Sequence, residues 1–574
     1  MGSKDTFTVN ENDSSDTVIA DGNLEFVREQ GGNDSLPSYQ EASGAPVEKQ
    51  SPLGYQVHTF TLIFLNIGQM VGTGVFSTPA SILGNLGSVG LSMIYWFLGF
   101  IFAGSALAIY LELSSYFPSR SGGEVVYLEQ AYPRPKYLLP TAFAVQSVIV
   151  SFSSSNAIVL AQYIFRIADH TPTDWQMKGV AVAGYSIAVL LLVFSNKLGL
   201  WLSNAVGVVK VLTLLFISIT GLVVLGGHTS VSDPRANFRG SFEGTSGDAY
   251  GITNALVKVT FAYKGYQNAF NVVNENPIRT LTRSAPISLV IVAILYILCN
   301  IAYFAAVPKE ELVEAEQVAA SLFFRAVFGS GGASRGLNFL IALSAFGNLV
   351  TVLIGQSRAI RECGRQGVIP FPKFWASTYP FGTPLGPYFL KWSMTVLMIL
   401  APPAGDAFNF VVDLQSYPDA IFYFAMTVGL ILIRRQRKHI GASKTEFRSW
   451  DIALAITLLV NAFMLVMPWY PPEGGMFAGD VSFWYATYVV VGIAIILVCV
   501  IYYYLWIHLI PKWKGYQIRQ DVLVLDDGAT THRLVKVPND QLAAWDKEHD
   551  VVGRLRHRNG HAFSGDEGVR AGEP

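Results

Sequence analysis

The stretch IGQMVGTGVFSTP, residues 67–79, places three glycines, a threonine and a closing proline inside an apolar run long enough to cross a bilayer. Gly68, Gly72, Gly74 and Pro79 are all residues that weaken a helix. A helix unwound at mid-membrane frees N–H and C=O groups that lipid cannot satisfy, so such a break survives only where it lines a polar cavity. There the N–H groups opening the second half-helix point at an anion, helped by the helix dipole. The freed carbonyls of the first half face a cation. A zwitterion carries both charges a few ångströms apart, and glycines let the backbone come close to it. Against this stands the plainer use of glycine in membrane helices, which is close packing.

A second interruption lies at FAYKGYQNAFNVVNENP, residues 261–277, where Lys264, Gly265, Gln267, Asn268, Asn271, Asn274 and Glu275 break an apolar run. Paired breaks in corresponding spans of two halves are the sequence pointer to a transporter's central site. Lys264 stands too deep for its ammonium to reach either interface. It is expected to meet water, freed carbonyls, Asn268 or a substrate group in the cavity, to narrow that cavity and to exclude cationic side chains. Lys210 also falls near mid-depth, where an ionisable group is costly and marks function by default. It either exchanges a proton or stays charged and ties helices together. Asn156, in SFSSSNAIVLAQ, lines a side-chain pocket or bonds across helices. Asp413, Gln415 and Ser416 are candidates for an outer polar gate. Glu112 reads as interfacial, and Glu124 as packing or gating on an amphipathic segment.

These residues need elements to hold them. The chain has 574 residues, 51% hydrophobic and 14% charged, with a mean hydropathy of +0.38. That composition describes an all-α polytopic membrane protein rather than a soluble one, and the apolar blocks have membrane-spanning length. About twelve transmembrane helices are expected, at 58–82, 88–112, 138–165, 179–196, 199–226, 249–275, 285–307, 336–356, 386–402, 408–432, 451–470 and 482–507. With the amino terminus in the cytosol, cytosolic connections hold sixteen Lys and Arg against seven outside, so both termini are predicted to be cytosolic. Residues 1–54 are expected to be a disordered cytosolic tail, 55–510 the transmembrane domain, and 511–574 a polar, solvated cytosolic tail. Lys4 and Lys49, beside Ser35, Ser38 and Ser51, would be accessible there to kinases and ubiquitin ligases. A net charge of −1 with no basic aromatic cluster points away from nucleic acid. Cys299, Cys363 and Cys499 are too scattered for disulfides or metal. No Ser/His/Asp set, HExxH or phosphate loop supports an enzyme. No cofactor is expected.

GTGVF, FAYKGY, NPIRTL (276–281) and SRAIRECGRQGVIPF (357–371) resemble, in this order and spacing, the amino acid–polyamine–organocation superfamily. NFRGSFEGT (237–245), CNIAYFAAVPK (299–309), SAFGNLV (344–350) and ILAPPAGDAF (399–408) are similar to one branch, the fungal high-affinity methionine permeases. The resemblance covers roughly residues 55–515. It implies a five-plus-five inverted repeat with broken helices 1 and 6, and secondary active import of L-methionine or a related neutral amino acid. It also implies coupling to a proton and residence in the plasma membrane. Carried over by motif, Gly72, Thr73, Gly74 and Val75 would cradle the α-carboxylate. Carbonyls near Ile67, Phe261, Ala262 and Tyr263 would take the α-ammonium, beside Lys264 and Gly265, and the Phe261 ring would be the gate. Lys210 would stand where sodium-coupled relatives hold an ion. Glu275 is followed at once by Asn276-Pro277, where family members place two residues between. An exchanger, a polyamine or organic-cation carrier, and a non-transporting receptor are the rival functions.

Overall fold

A computed structural model describes residues 18–21, 24–28, 39–41, 57–117, 122–275, 278–314, 319–403, 406–439, 445–525 and 529–549. Among them, ten helices are long and apolar enough to cross a membrane. Two more spans complete the expected twelve. Span 6 is in two pieces (Ala249–Tyr263 and Tyr266–Glu275), and span 9 is a shorter apolar helix (Leu385–Leu400). The side where span 1 begins is here the near face and its opposite the far face.

Span 1 is broken where the glycines predict. Span 1a (Thr59–Met70) ends at Val71, and span 1b (Gly74–Leu86) starts after Thr73. Span 6a (Ala249–Tyr263) ends at Lys264, whose extended backbone leads into Gly265 at φ +135° and then span 6b (Tyr266–Glu275). The two breaks are pressed together. A Cβ on Gly74 would lie 2.8 Å from the Ala262 Cα, and one on Gly265 would lie 2.5 Å from the Met70 nitrogen. Only glycine permits this approach of backbone to backbone.

A third break was not foreseen. Span 3 runs Leu138–Ile149 and Ser154–Ala168, interrupted at residues 150–153. Its freed groups are met from spans 9 and 10. Gln415 (span 10, Ala407–His439) donates Nε2 to the Phe152 carbonyl at 2.7 Å, Lys391 donates to the Ser151 carbonyl at 3.1 Å, and the Ser153 N–H donates to Thr395. Gln415 therefore braces this break. Ser416 bonds within its own helix, to the Val412 carbonyl.

Strands occur in both polar end regions. In the amino-terminal segment, three short antiparallel strands occur at Val18–Asp21, Leu24–Arg28 and Tyr39–Glu41. The carboxy-terminal stretch expected to be solvated instead forms a β-hairpin, Tyr516–Val524 with Thr530–Pro538. Thr531 and His532 of DDGATTH are buried, and the Thr531 hydroxyl donates to the Arg365 carbonyl at the near end of span 8 (Gly332–Arg365). The two strands pair in register from Tyr516 opposite Pro538 to Val524 opposite Thr530. Glu112, in the last turns of span 2, is packed inside the protein. It is buried, forked by Arg434 at 2.7 and 2.8 Å and capped by Ser449, which ties spans 2 and 10 together near that face. Lys4, Lys49, Ser35, Ser38, Ser51 and Asn276-Pro277 lie outside the described residues.

Candidate functional site

The freed carbonyls of span 1a are each met by a side chain from a neighbouring span. Gly68 O accepts from Lys210 Nζ at 2.7 Å and from Asn348 Nδ2 at 3.0 Å, and Gln69 O accepts from Asn348 at 2.6 Å. Met70 O and Ala262 O, one from each break, both accept from the Tyr296 hydroxyl. Two asparagines exchange roles across the breaks. Asn66 in span 1a accepts from the Ala269 N–H of span 6b, and Asn268 in span 6b donates to the Leu65 carbonyl of span 1a. This network is how unwound backbone is tolerated at membrane depth.

What is left open is a cavity of ≈180 Å³ at the two breaks. Of the predicted residues, Gly72, Thr73, Gly74, Asn156, Phe261 and Lys264 line it together. Thr73 opens span 1b, so the first N–H groups of that half-helix have no partner within it. Thr73 is fixed by donating its hydroxyl to Asn156 Oδ1 at 2.9 Å, so Asn156 both lines the cavity and bonds across helices. Gly72 is held tight, since a Cβ there would lie 2.4 Å from Asn348 Nδ2. Phe261 meets Phe408 edge to face at 6.2 Å, linking spans 6a and 10 beside the cavity.

The remaining predicted residues lie behind this wall. Ile67 O accepts from the Val71 N–H, and Val75 and Ala262 are buried. Tyr263 donates to the Trp96 carbonyl, and Gly265 packs on Met70. Lys210 is fully buried against the back of span 1a.

Charged groups complete the site, and among them sequence reasoning passed over Asp419, Lys258 and Asp480. Lys264 does not end on a carbonyl or on Asn268. Its ammonium pairs with Asp419 of span 10 at 2.5 Å, because span 10 passes the span 6 break at that level. Glu124, which opens the helix Glu124–Ala131 between spans 2 and 3, lines the same cavity and accepts a short hydrogen bond from the Tyr110 hydroxyl. Burial pushes the Glu124 carboxyl above its ordinary value, and Tyr110 pulls the other way. Towards the far face, Lys258 in span 6a is fully buried between Asp413 at 3.0 Å and Asp480 at 3.3 Å. Asp480 sits on the connection between spans 11 and 12. Burial opposes its charge, yet the Lys258 ammonium holds its carboxyl below the usual value. Asp413 is thus one leg of a buried ion cluster that bridges two spans and a loop. Cys299, Cys363 and Cys499 are free and buried, and the described residues contain no group of metal-ligating side chains.

The amino acid permease family model matches residues 57–501. The chain is 36% identical, over 87% of its length and 87% of the relative's, to the high-affinity methionine permease of Saccharomyces cerevisiae. It is 27% identical to that yeast's low-affinity methionine permease, over 85% of this chain and 89% of the relative. A mouse b(0,+)-type amino acid transporter 1 is 29% identical over 73% of this chain and 84% of its own.

Proposed function

The chain belongs to the amino acid permease family, and on that premise we propose that it imports L-methionine. Other neutral amino acids would be secondary substrates. Transport runs by proton-coupled alternating access between two five-span repeats, at the plasma membrane, with both termini in the cytosol. The observation that carries this reading is the small cavity onto which both helix breaks open. The N-terminus of span 1b offers N–H groups to an α-carboxylate, and carbonyls of the same breaks, able to accept a second hydrogen bond beside a protein partner, suit an α-ammonium. Met70, Phe143, Phe152, Val352 and Phe422 add apolar, adaptable surface to a wall that is otherwise largely polar, and that surface fits an unbranched thioether. Methionine is also what the names of two relatives specify.

Uptake of labelled methionine in cells lacking their own permeases, competed by every common amino acid, tests the substrate. Neutral apolar amino acids should inhibit it, and lysine and glutamate should not. Uptake of basic amino acids with no effect on methionine would overturn the reading. Coupling is assigned to Lys210, whose ammonium rests on the carbonyl where span 1 starts to unwind. Protonation would then be felt directly by the backbone that moves. Lys210→Met should reach the surface and transport without responding to external pH. If uptake by this variant still rises on acidification, Lys210 is structural.

A further inference from the structure

We propose that Asp419 and Lys264 together form the charge filter of the side-chain subsite, so that the cavity accepts neutral side chains because these two charges are already paired with each other. This deepens the amino acid permease reading and rests on it. The pair is not a surface bridge. Both side chains line the cavity, and they are 17% and 31% exposed in all. One carboxylate oxygen of Asp419 takes the ammonium at 2.5 Å, and the other accepts from Gln146 Nε2 at 3.5 Å. Lys264 is the residue at which span 6 unwinds, so the pair joins the break itself to span 10.

Size makes the pair unavoidable. A cavity of ≈180 Å³ leaves an amino acid held at Gly72–Gly74 little room to keep its side chain clear of these two groups. A cationic side chain must compete with Lys264 for Asp419, and an anionic one must compete with Asp419 for Lys264. Either exchange costs an ion pair already formed in a poorly hydrated space, which is how a site rejects wrong charge without a direct clash. Glu124 is the third charged group on the wall. It is engaged by Tyr110 and is the same in all the comparisons below.

Removing one partner at a time should therefore switch the charge that is accepted. In whole cells expressing the full chain, Lys264→Met leaves Asp419 uncompensated. It should raise lysine and arginine uptake by about tenfold or more relative to the unmodified chain. Asp419→Asn should do the same for glutamate. The double variant, neutral again, should return to neutral substrates only. Should a single variant fail to reach the surface, Gln146→Glu adds a carboxylate beside an intact pair and should admit lysine. Surface-delivered variants that keep neutral-only uptake, or that both favour the same charge, would overturn the proposal. Uptake is scored against whichever neutral amino acid the unmodified chain carries. Absence of methionine uptake by that chain therefore defeats the substrate assignment alone and leaves this test standing.

Discussion

Lys258→Met is expected to destabilise the protein by about 3–5 kcal/mol, the cost of leaving buried charge without its partner. Lys258 is fully buried in span 6a, with carboxylates of Asp413 and Asp480 at 3.0 and 3.3 Å. Methionine matches the length of the side chain and removes only the ammonium, so the two carboxylates then face each other in a space that water barely reaches. Tyr250 still donates to Asp480 and softens the loss without replacing the counter-charge. Thermal unfolding of the detergent-purified variant should show a clearly lower midpoint. Adding Asp413→Asn and Asp480→Asn to Lys258→Met should recover most of it, since a neutral replacement of a whole buried cluster is tolerated far better than half of one. A single variant as stable as the unmodified protein would mean the cluster is not held as described.

Gly265→Ala should nearly abolish transport. The residue has φ +135°, a conformation that side-chain-bearing residues avoid at a cost of ~1–3 kcal/mol. The added Cβ would also sit 2.5 Å from the Met70 nitrogen, which is backbone and cannot rotate away. Either the span 6 break or the span 1 break must shift, and both line the cavity. At about tenfold in an equilibrium for each 1.4 kcal/mol, strain alone would cut methionine uptake by roughly an order of magnitude or more. Uptake normalised to surface protein measures it. Normal uptake by Gly265→Ala would show that the two breaks do not need this close packing.

The breaks in spans 1 and 6 were legible because glycine, asparagine and lysine inside apolar runs are local signals. Thr73 and Phe261 could be placed on the cavity wall from motif, whereas Asn156 stood open between lining a pocket and bonding across helices. Lys258 was equally legible by the rule that singled out Lys210, an ionisable residue inside an apolar helix, and was passed over beside the more conspicuous Lys264. Its partners were not legible, nor was Asp419. They stand 155 residues or more along the chain, and which span crosses which at a given depth is fixed by packing. The break in span 3 had a signal in its serine run SFSSS, which reads as easily as helix–helix glue. The carboxy-terminal hairpin was hidden by the polarity of its segment, because Thr531 and His532 are buried by packing near the end of span 8, far away in the chain.

The central claim is that the amino acid binds in the cavity between the broken spans. The most direct test is protection of a cysteine placed on its wall. Val352 lines the cavity from span 8, and valine to cysteine is a small change there. The three native cysteines are buried, which keeps background labelling low. In Val352→Cys, methionine should slow labelling by a membrane-permeant maleimide in a saturable way, and lysine and glutamate should not. A labelling rate indifferent to methionine, in a variant that still transports it, would place the substrate elsewhere.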